Sequence, residues 1–529
     1  MKSLRYALLA VLLALLGAGL VRWHRAVPVS PAGELRFVHA QRALRLDPRR
    51  SGEPSNVAHR VVRALWEPLL EIDDAGEPRL AAAASLEVAD DRRSVVVRLR
   101  PELRWSDGEP VRAADFVRAA DWFLRSGNTS AVSQLLRQQP DRPGKPPAIA
   151  TVRALDDVTM RVEFPCPAPG LRFALAEAAW IPLHRESLAL LEDDGYRANP
   201  LALVTNGAFT LAAAGPDQWR LRRNPHFRSA ATVQLESVLL MRTEGPSLFA
   251  TLLAAGRADL SQARPYLPEE YPELRAPLWR TEKTNALSVL HFNTSRAPLS
   301  DVRVRRALSL ALDRTTLARI SSAGGGTPAF SCSPRTNEEP AGRTVREDLA
   351  EARLLLAEAG FPGGRGMPVL RLPLVQSLIA STMAHFCADQ WRERLGVRVY
   401  VMALPSAEIR RRVERGEFDV MHFLWTLSGG ESSLAAFAPL PSVPPAFALK
   451  LTAPREEKLT AARELTGAAR RAAMFELERE LLADVPCTPI VFYRRCTAVG
   501  EHVTGWQNDH SGAHAFAELG LRSPGRASP

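Results

Sequence analysis

The chain has 529 residues, of which 46% are apolar and 24% charged, with a formal net charge of +10. That length exceeds one compact core and predicts two to four domains, while the ordinary composition excludes collagen-like and low-complexity classes. The positive charge is almost all arginine, with lysine only at 2, 145, 283, 450 and 458. It carries no basic arm and no aromatic-rich basic motif, so nucleic acid is not an expected partner.

Lys2 and Arg5 precede an apolar run over residues 6–21, which Arg22, His24 and Arg25 close. These are the charged and apolar regions of an export signal. The run is shorter than the ~20 residues of a full membrane span. Gly17 and Gly19 offer only a poor cleavage pair, and no cysteine stands nearby for lipid attachment. Residues 1–26 are therefore read as a signal peptide or an uncleaved anchor, which predicts a periplasmic or extracytoplasmic protein.

Residues 35–38 read as a strand, and 56–65 as a helix that buries Val57, Val61, Ala64 and Leu65. Two turn-bounded apolar segments follow, Glu67-Pro68-Leu69-Leu70-Glu71-Ile72-Asp73 and Leu86-Glu87-Val88-Ala89-Asp90-Asp91. Residues 95–99 form a strand. The turn Trp105-Ser106-Asp107-Gly108-Glu109-Pro110 leads into a helix carrying Phe116, Ala119, Ala120 and Phe123. Residues 138–147 are a proline-rich loop. Asn206-Gly207-Ala208-Phe209 opens a hairpin region that ends at Arg222-Arg223-Asn224-Pro225.

In the second half, 289–293 is a strand. Ser300 can cap a helix whose core face is Val304, Ala307, Leu308, Ala311 and Leu312. Thr344 and Glu347 have capping-box spacing for a helix that stops at Gly360. A helix ends at Leu395, a strand covers 397–402, a helix 406–415 and a strand 418–425. The alternation signals α/β layers.

Five cysteines, at 166, 332, 387, 487 and 496, cannot all pair internally. Cys487 and Cys496 flank a predicted strand at 489–493, and nine extended residues would hold them roughly 30 Å apart. A disulfide needs Cα atoms within about 7 Å, so this pair is not expected to bond.

The order of these segments resembles the family 5 extracytoplasmic solute-binding proteins, which include the oligopeptide- and dipeptide-binding components of ABC importers. The motifs from Glu67 to Leu124 carry the resemblance. So do Leu46-Asp47-Pro48, Gly52-Glu53-Pro54-Ser55-Asn56-Val57, Asn206-Gly207-Ala208-Phe209 and Phe292-Asn293-Thr294. The segments Asp301-Val302-Arg303-Val304-Arg305-Arg306-Ala307-Leu308, Ala359-Gly360-Phe361-Pro362-Gly363-Gly364 and Gly416-Glu417-Phe418-Asp419-Val420 extend it over nearly the whole chain.

The resemblance implies an α/β, bilobed periplasmic-binding-protein fold of the three-domain type, with a discontinuous domain I. The expected parts are domain I at 27–66, 198–286 and 488–529, domain II at 67–197 and domain III at 287–487. A peptide or peptide-like ligand would be enclosed between domains I and III and read by an ABC permease in the membrane. The expected state is a monomer, with no cofactor, no metal and no catalysis. The alternative is a membrane-tethered sensor or interaction protein of the same fold, uncoupled from transport.

In peptide-binding members of that family, an Asp three residues after the strand-ending Trp holds the ligand's ammonium. Here Trp425 is followed by Thr426, Leu427 and Ser428, with Glu431 three residues further on. The loop before Leu46 carries Arg42 where an acid is common. The expected ligand-binding residues are Arg42, Ala43 and Leu44 on one side, and Phe423, Trp425, Ser428 and Glu431 on the other. A ligand with a neutral or anionic end, facing Arg42, fits this set.

Other chemistry is thin. His502, Asp509, His510 and His514 form the one local cluster, read as surface or hinge residues rather than a metal site. Motifs of metalloproteases, serine hydrolases and phosphate-binding loops are absent from the sequence. Gly324-Gly325-Gly326 fits a loop. The pairs Asp73-Asp74, Asp90-Asp91 and Asp193-Asp194 fit turns.

Overall fold

The computed structural model describes residues 33–41, 44, 46–48, 57–73, 77–125, 137–138, 148–164, 168, 171–192, 195–244, 247–262, 279–321, 326–333, 337, 345–375, 378–426, 452–465, 467–507 and 515–522. Strand β1 (Glu34–His39) is apolar at Leu35, Phe37 and Val38, all buried. Helix α1 (Val57–Leu65) buries Val57, Val61, Ala64 and Leu65, the stripe its 3.6-residue period predicts. A short hairpin of β2 (Leu70–Ile72) and β3 (Pro78–Leu80) follows.

Next come β4 (Ala83–Val88), β5 (Ser94–Leu99), helix α2 (Ala113–Arg125), β6 (Thr151–Ala154) and β7 (Thr159–Glu163). The strands form an antiparallel sheet in the order β4-β5-β7-β6. On β5, Val95, Val97 and Leu99 turn inward while Arg98 turns out, the period-2 pattern of a half-buried strand. Helix α2 packs on β6 and β7 and buries Phe116, Ala119, Ala120 and Phe123.

The predicted hairpin is β8 (Phe209–Ala214) with β9 (Gln218–Arg223), joined by β10 (Ser237–Arg242) and β11 (Leu260–Ser261). The five-stranded sheet runs β8-β9-β10-β1-β11, with β1 parallel to β10 and β11. One hydrophobic core, including Phe37, Trp66, Trp105, Trp180 and Phe516, unites all these parts as the first lobe.

The second lobe is built from β12 (Trp279–Phe292), α3 (Val302–Leu310), α4 (Arg314–Ser321), β13 (Thr327–Pro328), α5 (Val345–Glu358), β14 (Leu370–Val375) and α6 (Leu378–Leu395). It continues with β15 (Val399–Leu404), α7 (Ser406–Glu414), β16 (Val420–Thr426), α8 (Ala453–Glu464), α9 (Gly467–Ala483) and β17 (Cys487–Ala498). Its main sheet runs β13-β17-β12-β16, and β14 pairs in parallel with β15 beside it. One face buries Leu290, Phe292 and Val420 with residues of α3 to α6. The other buries Leu287, Val289 and Phe492 with Leu459 of α8 and Leu477 and Leu481 of α9.

Strands β12 and β17 run between the two lobes as an antiparallel ribbon. At one end Trp279 pairs with Ala498, and Ala498 packs with Val38 and Phe249 of the first lobe. At the other end His291 pairs with Cys487. Between them the register slips, with Lys283 opposite Arg494 but Leu287 opposite Phe492. Four steps on β12 thus face two on β17, an irregularity that bends a ladder and raises its local twist.

Several boundaries differ from the sequence reading, among them the strand expected at 418–425, which lies at Val420–Thr426. The strand expected at 289–293 extends back to Trp279, because polar Glu282-Lys283-Thr284-Asn285 interrupts the apolar pattern without ending the pairing. The helix expected to be capped by Ser300 is capped by Asp301, whose carboxylate accepts from the Arg303 amide at 2.8 Å. A carboxylate also complements the positive end of a helix better than a hydroxyl does. The strand expected at 397–402 lies at Val399–Leu404, because the Val397 amide is spent on the Trp391 carbonyl at the helix end. Cys487 and Cys496 stand at opposite ends of β17, and the four cysteines among the described residues are buried free thiols. Thr344, the 139–147 loop, Gly324 and Gly325 lie outside the described residues.

Candidate functional site

The sequence landmarks serve the scaffold, each through an identifiable bond. Trp105 is buried, its indole donates to Asp115 at 3.2 Å, and its amide donates to the Glu109 carbonyl at 2.8 Å. Asp107 accepts from the Glu109 amide at 3.0 Å, and Gly108 takes φ +95°, which an L side chain rarely adopts. Asn206 reads both backbone groups of Glu67, accepting at 3.0 Å and donating at 3.2 Å. The next residue, Gly207, lies so close to α1 that a Cβ would sit 2.5 Å from the Ala64 carbonyl oxygen. In the second lobe Asn293 donates to the carbonyls of Gly416 at 3.3 Å and Phe418 at 3.0 Å. Two landmarks far apart in sequence therefore meet as one hydrogen-bonded corner.

The ligand side follows from strand direction. Open α/β sheets bind ligands beyond the carboxyl ends of their strands. In the first lobe those ends are His39 of β1, Arg242 of β10 and Ser261 of β11. They are tied to the interlobe ribbon, because Ser261 Oγ accepts from the Ala498 amide at 3.0 Å. In the second lobe β16 ends beside the same ribbon, where Trp425 opposes Leu287 and Leu287 opposes Phe492. The steps from Phe492 to Ala498 span roughly 20 Å of extended chain, which separates the two sets of strand ends along the ribbon.

Trp425 and Phe423 share one face of β16 and are half-buried against the α8–α9 side of the lobe. His291 lies between them, its ring centroid 5.0 Å from Trp425 and 5.4 Å from Phe423. On the opposite face Leu424 is 52% exposed, and β16 is the edge strand of its sheet. Leu44 is buried in the first-lobe core. Arg42, Ala43, Ser428 and Glu431 lie outside the described residues.

Burial dominates the electrostatics. It lowers His291 to about 3 and His422 to about 4. His39 falls to about 4, by burial first and by the charge of Arg242 second. All three imidazoles are neutral at physiological pH. Burial also pushes the Tyr493 phenol up, opposed by its bond with Ser288. Ser288 Oγ lies 2.8 Å from His422 Nε2, a spacing found in nucleophile–base pairs. Ser288 is fully buried, so no substrate carbonyl can reach it and the pair is a bond within the sheet. Among the described residues, no group of three His, Cys, Asp or Glu is placed to hold a metal. His502 bonds Asp259 at 2.8 Å, while Asp509, His510 and His514 lie outside the described residues.

The sequence singled out Trp425 and Phe423, and the fold adds Leu424 of the same strand, His39 at the end of β1, and Tyr493 and Arg494 on the ribbon itself as their neighbours. Leu424, His39 and Tyr493 carry no motif that marks them in the sequence. The pair Arg494-Arg495 is visible in sequence as two cations inside an apolar strand.

Two lobes joined by a two-stranded ribbon, with the ends of parallel strands of the first lobe tied to it and β16 of the second lobe ending beside it, define a hinged ligand-binding protein of the periplasmic type. Residues 77–440 match the model of the bacterial extracellular solute-binding proteins, family 5, and the chain belongs to that family. It is 27% identical over 439 residues to the probable deoxycholate-binding periplasmic protein YgiS of Escherichia coli, covering 77% of this chain and 78% of that protein. It is 25% identical over 489 residues to the periplasmic oligopeptide-binding protein OppA of Escherichia coli, covering 87% of each. Among solved structures, the murein tripeptide-binding protein MppA of Escherichia coli superposes with a TM-score of 0.70 at 23% identity, over 93% of this chain and 99% of that one.

Proposed function

We propose that the chain is an extracytoplasmic receptor that captures a peptide-like ligand between its lobes and presents it to an ABC permease for uptake. The observation that carries this reading is the edge position of β16, whose carboxyl end lies at the ribbon with Leu424 exposed and Trp425 beside it. An extended peptide can add to such an edge through backbone bonds, which gives affinity tolerant of sequence. The names of OppA and MppA point to the same ligand class. Closure contacts form only around ligand, so ligand shifts an open–closed equilibrium about the ribbon.

The proposed ligand set is Arg42, Ala43 and Leu44 from the first lobe with Phe423, Trp425, Ser428 and Glu431 from the second. The proposed boundaries are domain I at 27–66, 198–286 and 488–529, domain II at 67–197 and domain III at 287–487. The protein acts by binding, as a monomer and without catalysis. It works in the periplasm, held there free or by residues 1–26. Among the described residues no helix is long and apolar enough to cross a membrane, and residues 1–26 lie outside them.

Native mass spectrometry of protein purified from a periplasmic extract tests this reading. The expected result is co-purified peptides that a denaturing wash releases. A protein that emerges empty and also binds no member of a mixed peptide pool would sink it.

A further inference from the structure

An ion pair bridges the two lobes away from the ribbon. Arg471 of α9, in the second lobe, donates through Nη1 to Glu77 Oε1, immediately before β3 in the first lobe. The two residues are 394 positions apart in sequence, and their side chains keep 28% and 32% exposure.

Each partner is fixed by its own lobe. The Glu77 amide donates to Asp73 Oδ1 at 2.8 Å, and its carbonyl accepts from the Asp73 amide at 2.9 Å. Arg79, two residues on, meets Glu71 at 2.9 Å and Glu518 at 3.2 Å, and Glu71 also meets Arg63 of α1 at 2.9 Å. The β2–β3 hairpin is therefore pinned to the first lobe. Helix α9 is anchored in the second lobe by Met474, Leu477 and Leu481, which share a core with Cys487 and Phe492 of β17. Side chains three and four positions apart are neighbours on a helix, and around Arg471 these are Gly467, Ala468, Met474 and Phe475. Its own helix thus offers it no carboxylate, whereas Arg479 of the same helix meets Glu476 at 2.6 Å. The counter-charge of Arg471 comes from the other lobe.

The pair forms in a conformation that leaves the β16 edge uncovered, with Leu424 52% exposed. Neither partner lies on the β12–β17 ribbon, so rotation of the lobes about that ribbon changes the separation of the two charges. A contact made with the edge uncovered is drawn apart when the lobes move to cover it.

We propose that the Glu77–Arg471 pair is a latch between the lobes that favours the open arrangement and opposes closure on a ligand. The proposal rests on capture by closure and adds a determinant of affinity that touches no ligand. A part-exposed pair is a modest contributor, so the latch biases the equilibrium without locking it. Apparent affinity follows the fraction of molecules in the binding-competent form, and loss of the latch raises that fraction.

The test titrates a mixed pool of tri- to pentapeptides by calorimetry into the full chain. The same pool is titrated into Glu77→Gln, Arg471→Gln and the exchanged double variant Glu77→Arg with Arg471→Glu, each checked for an unchanged thermal transition. Both single variants are expected to bind about threefold tighter than the unaltered protein, within the reach of a part-exposed pair, and the exchange should restore the unaltered affinity. Unchanged or weaker binding in either single variant overturns the latch and leaves peptide capture standing. Tighter binding that the exchange does not reverse also overturns it, because the two charges then act separately.

Failure of every form, the unaltered protein included, to bind the pool overturns peptide capture, and the latch is then read without ligand. Spin labels at Thr151→Cys on β6 and Arg479→Cys on α9, both exposed, report the distance between the lobes in a Cys166→Ser background. A distance distribution that shifts in both single variants and returns on exchange supports the latch, and any other pattern overturns it.

Discussion

Asp259 is a heavily used carboxylate of the first lobe, and its removal gives a sharp test of how that lobe is held together. It is 1% exposed and accepts from the Arg36 amide at 2.7 Å, Arg36 Nε at 3.0 Å, Arg36 Nη2 at 2.6 Å and His502 Nε2 at 2.8 Å. It thereby joins β1, β11 and the segment after β17. Asp259→Ala leaves those donors without their acceptor and strands the Arg36 guanidinium. Breaking a buried ion pair by removing one partner costs about 3–5 kcal/mol. The Arg36 side chain keeps 15% exposure, so water can reach it and the lower figure, ~3 kcal/mol, is expected.

Urea denaturation followed by tryptophan fluorescence measures that loss, and its pH dependence identifies the cause. Burial alone pushes the Asp259 carboxyl up, but the bonds from His502 and Arg36 together outweigh it and hold it below its ordinary value. A carboxyl depressed in the folded state stabilises fully above its unfolded pKa of about 3.9 and loses that contribution as pH falls through the folded value. The gap between wild type and Asp259→Ala should therefore be constant from pH 5 to 7 and narrow below about pH 4. A loss under about 1 kcal/mol, the level of an exposed pair, would refute the reasoning.

The remaining predictions concern other parts of the molecule. His39 and His291, which are 3% and 7% exposed, are lowered to about 4 and about 3. Unfolding below their ordinary value of 6.5 therefore takes up protons that the folded state does not hold. Stability should fall as pH drops from 6.5 toward 4, by up to about 1.4 kcal/mol per pH unit for each imidazole. A flat profile there in urea melts would contradict their burial. Gly207→Ala drives a methyl into the Ala64 carbonyl and should cost about 3 kcal/mol, the upper range of overpacking, or abolish soluble protein. A loss under about 1 kcal/mol in urea melts, below the range of overpacking, would show that the contact relaxes freely. Trp425→Ala should weaken calorimetric binding of the captured ligand about tenfold or more, ~1.4 kcal/mol. Unchanged affinity would remove Trp425 from the cleft.

Most of the scaffold was legible in the sequence because its landmarks are local in character. The stripe of α1, the alternation of β5 and the turn from Trp105 to Pro110 each announce themselves within a dozen residues. Asn206-Gly207 and Asn293 were recognisable as motifs, but their purpose was not, since it depends on Glu67 and Phe418 far along the chain. The ribbon escaped because polar residues 282–285 broke the apolar pattern that marks a strand. Arg494 shows the limit most clearly. Two arginines in a strand are plain to see, yet whether either finds a carboxylate depends on the fold. The same holds for the Ser288–His422 pair, where sequence offers the residue types and only burial shows that no substrate reaches them.

Closure about the β12–β17 ribbon is the central claim, and small-angle X-ray scattering of the full chain tests it most directly. Profiles would be recorded with and without a saturating amount of the peptide that binds best in calorimetry. The account predicts a smaller radius of gyration with ligand, as the lobes close on it. A radius that does not change at saturation would contradict capture by closure.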